Sequence, residues 1–397
     1  MQSRRAFLKG TALAATGVLL RAPFPARAAE SGLAQMAEKD GLVLLGEEPL
    51  VAETPAHLLD DAVTPTERMF VRLNGLLPQS AVDLDASGWT LTIDGEVERP
   101  LRLTLDQLQR DFETVSANLV LECAGNGRAF FQPPVEGNAW TWGGVGCPRW
   151  TGVRLWELLM AAGLEDSAVY TGHYGNDPHL SGDPTKHAIS RGIPIEKALE
   201  EWTLIAWAMN GQPLGPLHGF PLRLVVPGYP GSVSQKFLTR IWVRDRVHDG
   251  EKMLGQSYRL PAHPVAPGST VPDGEMEILG AIPVKSLITS PADGATVPAG
   301  RLFALRGHAW SGKGTVRAMH LSFDYGQSWV AAGLSAPANP FAWQRWVAEI
   351  TLPTAGRYEL WARATDPDGV MQPPVPPGWN PQGYANNMMH RIVVVAV

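Results

Sequence analysis

A proline-rich stretch over residues 260–272, with Pro261, Pro264, Pro267 and Pro272, divides the chain into two halves whose local patterns demand different folds. Ahead of it, strand-like and helix-like patterns alternate. Residues 89–93 read as a strand followed by Asp94 and Gly95, a hairpin-type turn. Thr104 precedes Gln107 by three positions, the spacing of a capping box, and opens a short helix through Phe112. Residues 119–122 form an apolar strand running straight into Cys123, and 154–162 an amphipathic helix stopped by Gly163. Residues 195–202 read as a further helix and 222–226 as a buried strand ending at Pro227 and Gly228. Such alternation indicates a mixed α+β domain.

Beyond the proline-rich stretch the helical pattern stops. Strand candidates at 302–305, 319–323, 346–350 and 358–364 are punctuated by turn residues at 291–294, 324–326 and 366–369. That spacing favours an all-β, immunoglobulin-like sandwich. A chain of 397 residues is long enough for two cores, and 45% hydrophobic against 18% charged residues suits globular domains. The expected division is an export signal over 1–28, an N-terminal arm over 29–64, a catalytic-type domain over 65–260, a linker over 261–280 and the sandwich over 281–397. A formal charge of −6 carries no basic bias and argues against a nucleic-acid partner.

The N-terminus reads as a targeting segment. Ser3, Arg4, Arg5, Phe7, Leu8 and Lys9 resemble the twin-arginine export signal, followed by an apolar run over 11–20 and small residues at Ala26 and Ala28. The run is too short to span a bilayer. The expectation is a protein exported already folded and soluble in the periplasm.

Only two cysteines are present, Cys123 and Cys147. They can pair, or leave a free thiol or a metal ligand, and count alone does not choose. Cys123 sits where a strand gives way to Ala124, Gly125, Asn126, Gly127 and Arg128. The bland reading is a buried structural thiol. The functional reading is a thiolate: the glycines let backbone approach a bulky ligand, and Arg128 is a fixed cation that favours the ionised sulfur.

Cys123, Ala124, Gly125 and Asn126 resemble the cysteine loop of the sulfite oxidase family. Other segments match in the same order: Phe70 to Arg72, Trp150 to Leu155, Asn210 to Pro213, His218 to Arg223, Val226 to Gly228, Gly231 to Lys236, Tyr258, and Trp379 to Arg391. The resemblance runs from about residue 65 to the end. It implies a molybdopterin-binding domain followed by a dimerisation domain of immunoglobulin-like form, and hence a homodimer. It further implies a molybdenum cofactor held by a pterin dithiolene, with Cys123 as the metal's protein ligand. Arg72, Asn74, Cys123, His218, Arg223, Ser232, Ser234 and Lys236 are the implied cofactor contacts, and Arg72, Arg128 and Tyr258 the implied catalytic residues. An anionic pterin phosphate suits forked and point cations together. His218 as a satisfied core histidine and Arg223 as a strand-end cation are the structural alternatives.

The departures from the family pattern concern the substrate. Leu73 and Asn74 stand where the family has asparagine and histidine. Glu136 replaces an expected lysine, Gln382 replaces a substrate arginine, and the cysteine loop has one arginine where the family has two. Cys147 lies at a position held by small residues and is read as packing. The implied activity is oxygen-atom transfer, with sulfite oxidation to sulfate leading. The rivals are a sulfoxide-type reductase and a metal-free binding module. With no Cys-x-x-Cys-His segment in the sequence, no haem is expected in this chain, and the acceptor is expected to be an external c-type cytochrome.

Overall fold

The computed structural model describes residues 32–397, so the export-signal reading over residues 1–28 lies outside the described residues. The segment read as an arm is built into the core. Val43–Glu47 and Leu50–Glu53 pair antiparallel, and Leu50–Glu53 pairs in turn with Val71–Arg72. Leu50, Val51 and Ala52 are buried among Phe70, Trp140 and Trp150. This small sheet fixes the backbone of Arg72.

Two five-stranded sheets follow. One runs in the order Gly192–Pro194, Tyr170–Gly175, Leu238–Arg244, Thr90–Gly95, Leu101–Thr104. The other centres on Leu204–Met209, with Arg149–Arg154 on one side and Arg223–Val225 on the other. The helix Leu155–Ala162 buries Leu155, Leu158, Leu159 and Ala162, one apolar stripe facing Leu91, Ile93, Ile241 and Val243. Gly163 ends it in the left-handed region, φ 73°. The predicted capping box holds: Thr104 Oγ1 accepts from the Gln107 amide at 3.2 Å and the Thr104 amide donates to Gln107 Oε1 at 2.8 Å.

Three local expectations are corrected. Asp94 and Gly95 lie inside the strand Thr90–Gly95, not in a turn. The glycine is required there because a Cβ would sit 2.0 Å from the Val243 carbonyl oxygen of the neighbouring parallel strand. The helix expected over 195–202 stops at Ile195–Ala198. The Thr203 hydroxyl donates to the Lys197 carbonyl (2.9 Å) and the Thr203 amide to that of Glu200, turning the chain into Leu204–Met209. Before Cys123 only Leu121–Glu122 is a strand, because the Val120 amide donates to the Phe341 carbonyl of the second half, at 2.9 Å.

The second half is β-rich throughout. Eight strands run in the order Lys285–Ser290, Leu302–Trp310, Gln344–Thr351, Val330–Leu334, Ala318–Ser322, Gly356–Thr365, His390–Ala396, Ala295–Val297. Gln344–Thr351 alternates buried and exposed residue by residue, so one face supplies the core with Trp346, Ala348 and Ile350. The two halves meet behind Cys123. Glu122, buried, accepts from Lys285 Nζ at 2.5 Å, from Trp310 Nε1 at 2.7 Å and from Asn126 Nδ2 at 2.9 Å. Asn386 Nδ2 donates to the Gly127 carbonyl at 2.8 Å, and the Ala385 amide to that of Ala124 at 2.9 Å. The cysteine loop is therefore held from below by the second half. Among the described residues no helix is long and apolar enough to cross a membrane.

Candidate active site

A cleft opens over the cysteine loop. It is lined by Arg72, Asn74, Cys123, His218, Arg223, Ser232, Ser234, Lys236 and Tyr258, nine of the ten residues singled out from sequence. They arrive from five separate segments, so the fold, not chain proximity, brings them together.

The cations are tethered to backbone oxygens. Lys236 Nζ donates to the carbonyls of Leu217 (2.6 Å) and Arg72 (3.1 Å). Arg223 donates through Nη1 to the His218 carbonyl at 2.9 Å and through Nη2 toward Ser234 at 3.4 Å, with its guanidinium 4.8 Å from the Trp150 ring centre. Arg72 Nη1 donates to the Leu73 carbonyl. Lys39, from the N-terminal segment, reaches in and lies 2.6 Å from His218 Nε2. Among the described residues no carboxylate forms an ion pair with this set, and Asp177 beside Lys236 is the one carboxyl in the lining. Burial pushes Arg223 down to about 9 and Lys39 down to about 8. Lys236 is held well below the ordinary lysine value by burial and then by Arg223 and Arg72. His218 is kept neutral by burial and by Lys39, Lys236 and Arg223. Buried cations that depress one another want an anion.

Several polar atoms in the cleft also lack a partner: Arg223 Nε, Asn74 Oδ1, Ser232 Oγ and Gln235 Oε1. The Ser234 hydroxyl accepts from the Val226 amide at 3.0 Å, which leaves its proton free to donate. Cys123 is a free thiol, half-buried, its own amide anchored to the Gly144 carbonyl at 2.8 Å. Among the described residues no three His, Cys, Asp or Glu side chains converge as a metal cage. The donor set thus fits a bulky, anionic, multidentate ligand that brings further metal donors of its own, with Cys123 as the one protein thiol. Cys147 is buried, unpaired and pushed up to about 12 by burial, as its packing role requires.

Residues 77–252 match the oxidoreductase molybdopterin binding domain, and residues 276–397 the Mo-co oxidoreductase dimerisation domain. The chain is 33% identical over 362 residues to the sulfite oxidase of Gallus gallus, covering 88% of this chain and 77% of that protein. The chain belongs to the sulfite oxidase family. Human mitochondrial sulfite oxidase is 34% identical over 367 residues, where the match covers 88% of this chain and 64% of the human protein. Among solved structures, the sulfane dehydrogenase SoxCD from Paracoccus pantotrophus superposes with a TM-score of 0.71 at 26% identity, covering 96% of this chain and 92% of that one. As a member of the sulfite oxidase family this protein is an oxidoreductase that uses a molybdenum cofactor.

Arg128 departs from expectation. It does not line the cleft: Nε donates to the Gln382 carbonyl at 2.8 Å and Nη1 to that of Asn138 at 3.0 Å. The glycines beside it make room for protein rather than ligand. A Cβ on Gly125 would sit 2.6 Å from Arg128 Nη2, and one on Gly127 would sit 3.0 Å from Asn386 Cβ. Glu136 is exposed.

Sequence reasoning missed Asp177, Gln235, Lys39, Arg191 and Tyr384. Asp177 lines the cleft beside Lys236, and burial pushes its carboxyl up to about 7. It follows the strand Tyr170–Gly175 directly, and no spacing in the sequence marks it. Backbone strain would have been a better guide than composition. Phe237, Lys252, Tyr258 and Ala385 all take positive φ, between 52° and 67°, and the first three lie in or beside the cleft.

Proposed function

We propose that this protein is a periplasmic sulfite dehydrogenase. It oxidises sulfite to sulfate, taking the added oxygen from water and releasing two protons and two electrons, which pass singly to an external c-type cytochrome. The observation that carries the proposal is one accessible thiol, Cys123, set in a cleft whose cations make no ion pair among the described residues, the one carboxyl in its lining, Asp177, being pushed up to about 7 by burial. The cofactor, when bound, supplies the oxygen-atom transfer and the two-electron redox chemistry. The chain supplies position and charge. In this reading Cys123 ligates the metal. Arg223, Lys236, Ser232 and Ser234 hold the phosphate, and Asn74 and His218 hydrogen-bond the pterin. His218 is neutral, so it accepts from Lys39 at Nε2 and presents Nδ1–H as a donor. Arg72 and Tyr258, which line the cleft with Cys123, orient the substrate oxyanion.

The sulfite oxidase relatives, the sulfane dehydrogenase neighbour and the twin-arginine-like N-terminus support this reading. We further read the second half as an immunoglobulin-like sandwich that pairs two copies of the chain. Its family match and its exposed Leu302, Val330, Val347 and Val395 support that. A reductase of a sulfoxide-type substrate is the second reading, favoured by the exchange of two expected cations for Glu136 and Gln382.

The test is turnover by purified, molybdenum-loaded protein. Sulfite-dependent reduction of a c-type cytochrome is expected. Fully loaded protein that ignores sulfite but oxidises a reduced dye with a sulfoxide overturns the sulfite assignment.

A further inference from the structure

A guanidinium taken out of water requires an anion or a set of oxygen acceptors, and Arg191 has neither. It is 1% exposed, and among the described residues its side chain makes no hydrogen bond and no ion pair. Its backbone is fixed, since the His173 amide donates to the Arg191 carbonyl at 2.8 Å. The groups that bear on it are Tyr258, Tyr170, Tyr384 and Arg259, together with His173 and His248. Burial first, and then neighbouring charges, pushes those histidines down to about 3 and about 4, so both are neutral at pH 7. None of these neighbours is a carboxylate.

The contact Arg191 does make leads to the cleft. Its Cζ lies 4.4 Å from the ring centre of Tyr258, which lines the cleft with Cys123. Tyr258 stacks on Tyr384 at 5.0 Å with the rings 9° from parallel, and Arg128 closes the column 5.3 Å from the Tyr384 ring. Two cations therefore flank a pair of tyrosines. Arg128 is committed to two carbonyls. Arg191 alone keeps its donors and its charge unspent.

We propose that Arg191 is the specificity-determining cation of the cleft, acting through Tyr258 to draw a small sulfur oxyanion to that side. An uncompensated charge in a low-dielectric wall projects its field into the adjoining cavity instead of onto a partner. Tyr258, held with φ 52°, carries that field to the substrate by offering its hydroxyl to an oxyanion oxygen. The assignment rests on the sulfur-oxyanion reading above, and it makes Arg191 a positioning residue rather than a catalytic one.

The experiment uses loaded holoenzyme and two readouts: the KM and kcat for sulfite, and sulfate affinity by calorimetric titration, which needs no turnover. Removing the charge in Arg191→Met is expected to raise KM and weaken sulfate binding together, each by about tenfold or more, with a smaller change in kcat. Arg191→Lys, which keeps the charge, is expected to restore most of both. Should Arg191→Met fail to load molybdenum, Arg191→Gln against Arg191→Lys carries the same comparison. Unchanged sulfate affinity and KM in a loaded, charge-removed variant overturn the proposal while leaving sulfite oxidation standing. A wild-type enzyme that binds sulfate through Arg191 but does not oxidise sulfite overturns the function reading and leaves this one.

Discussion

The two sides of the cleft handle positive charge in opposite ways. Around His218 and Lys236, each cation is tied to backbone carbonyls: Lys236 to Leu217 and Arg72, Arg223 to His218, Lys39 to Thr66. Around Tyr258 the buried cation Arg191 has no oxygen to hold it and rests on a ring. A tethered cation has a fixed direction, which suits a large resident ligand held in one pose. A cation lying on an aromatic face keeps its donors free, which suits a small anion that comes and goes. The first side matches the pattern expected of the sulfite oxidase family.

The largest effects should come from the tethered side. Cys123→Ala is expected to reduce turnover to background with any substrate, while the cleft's cations still retain the pterin. An active variant would break the ligand assignment. Beneath both sides, Lys285→Met leaves the buried Glu122 carboxylate with its Trp310 and Asn126 donors but no cation, and should lower stability by about 3–5 kcal/mol in denaturant unfolding. The double change Lys285→Met with Glu122→Leu should recover much of that loss, which sharpens the comparison by separating support of the loop from charge in the cleft. Arg223→Met removes a charged hydrogen-bond donor worth about 1.5–3 kcal/mol and should weaken pterin retention about 10- to 100-fold, measured as molybdenum content after dialysis. Arg191 variants, by contrast, should keep their molybdenum. Equal molybdenum loss on both sides would erase the distinction.

Smaller effects follow from titration. Asp177 has its pKa raised from 3.8 to about 7 by burial, so in the cofactor-free protein the folded state holds a proton that the unfolded state releases. Stability from this group is present below about pH 4 and is lost as pH rises toward 7. Asp177→Asn should flatten that slope in thermal unfolding, and an unchanged slope would remove Asp177 as its source. Thr104→Ala, which breaks a capping box remote from the cleft, should cost about 1 kcal/mol and leave molybdenum content and KM unchanged.

Periodicity and capping made some elements legible in the sequence. The helix Leu155–Ala162, the capping box at Thr104 and four of the eight strands of the second-half sheet are local, and local rules found them. Expectation failed where long-range packing decides. Gly95 reads as a turn residue, yet it is needed to let two strands approach. The N-terminal segment reads as an arm because its short hairpin joins the rest of the chain only through the pairing of Leu50–Glu53 with Val71–Arg72. The cofactor side was legible because ordered motifs carry it. Arg191, Tyr384 and Asp177 were not, because nothing local distinguishes a cation without an acceptor from one that has a partner. Arg128 lies outside the cleft lining for a related reason: its proximity in sequence to Cys123 does not show the long-range bonds of its Nε and Nη1 to the Gln382 and Asn138 carbonyls.

The central claim is that Cys123 gives the metal its protein sulfur within a cleft of otherwise tethered cations. X-ray absorption at the molybdenum edge, comparing wild-type holoenzyme with Cys123→Ser, tests it directly. The expected result is equal molybdenum content with one fewer sulfur neighbour in the variant. An unchanged sulfur shell would contradict the assignment.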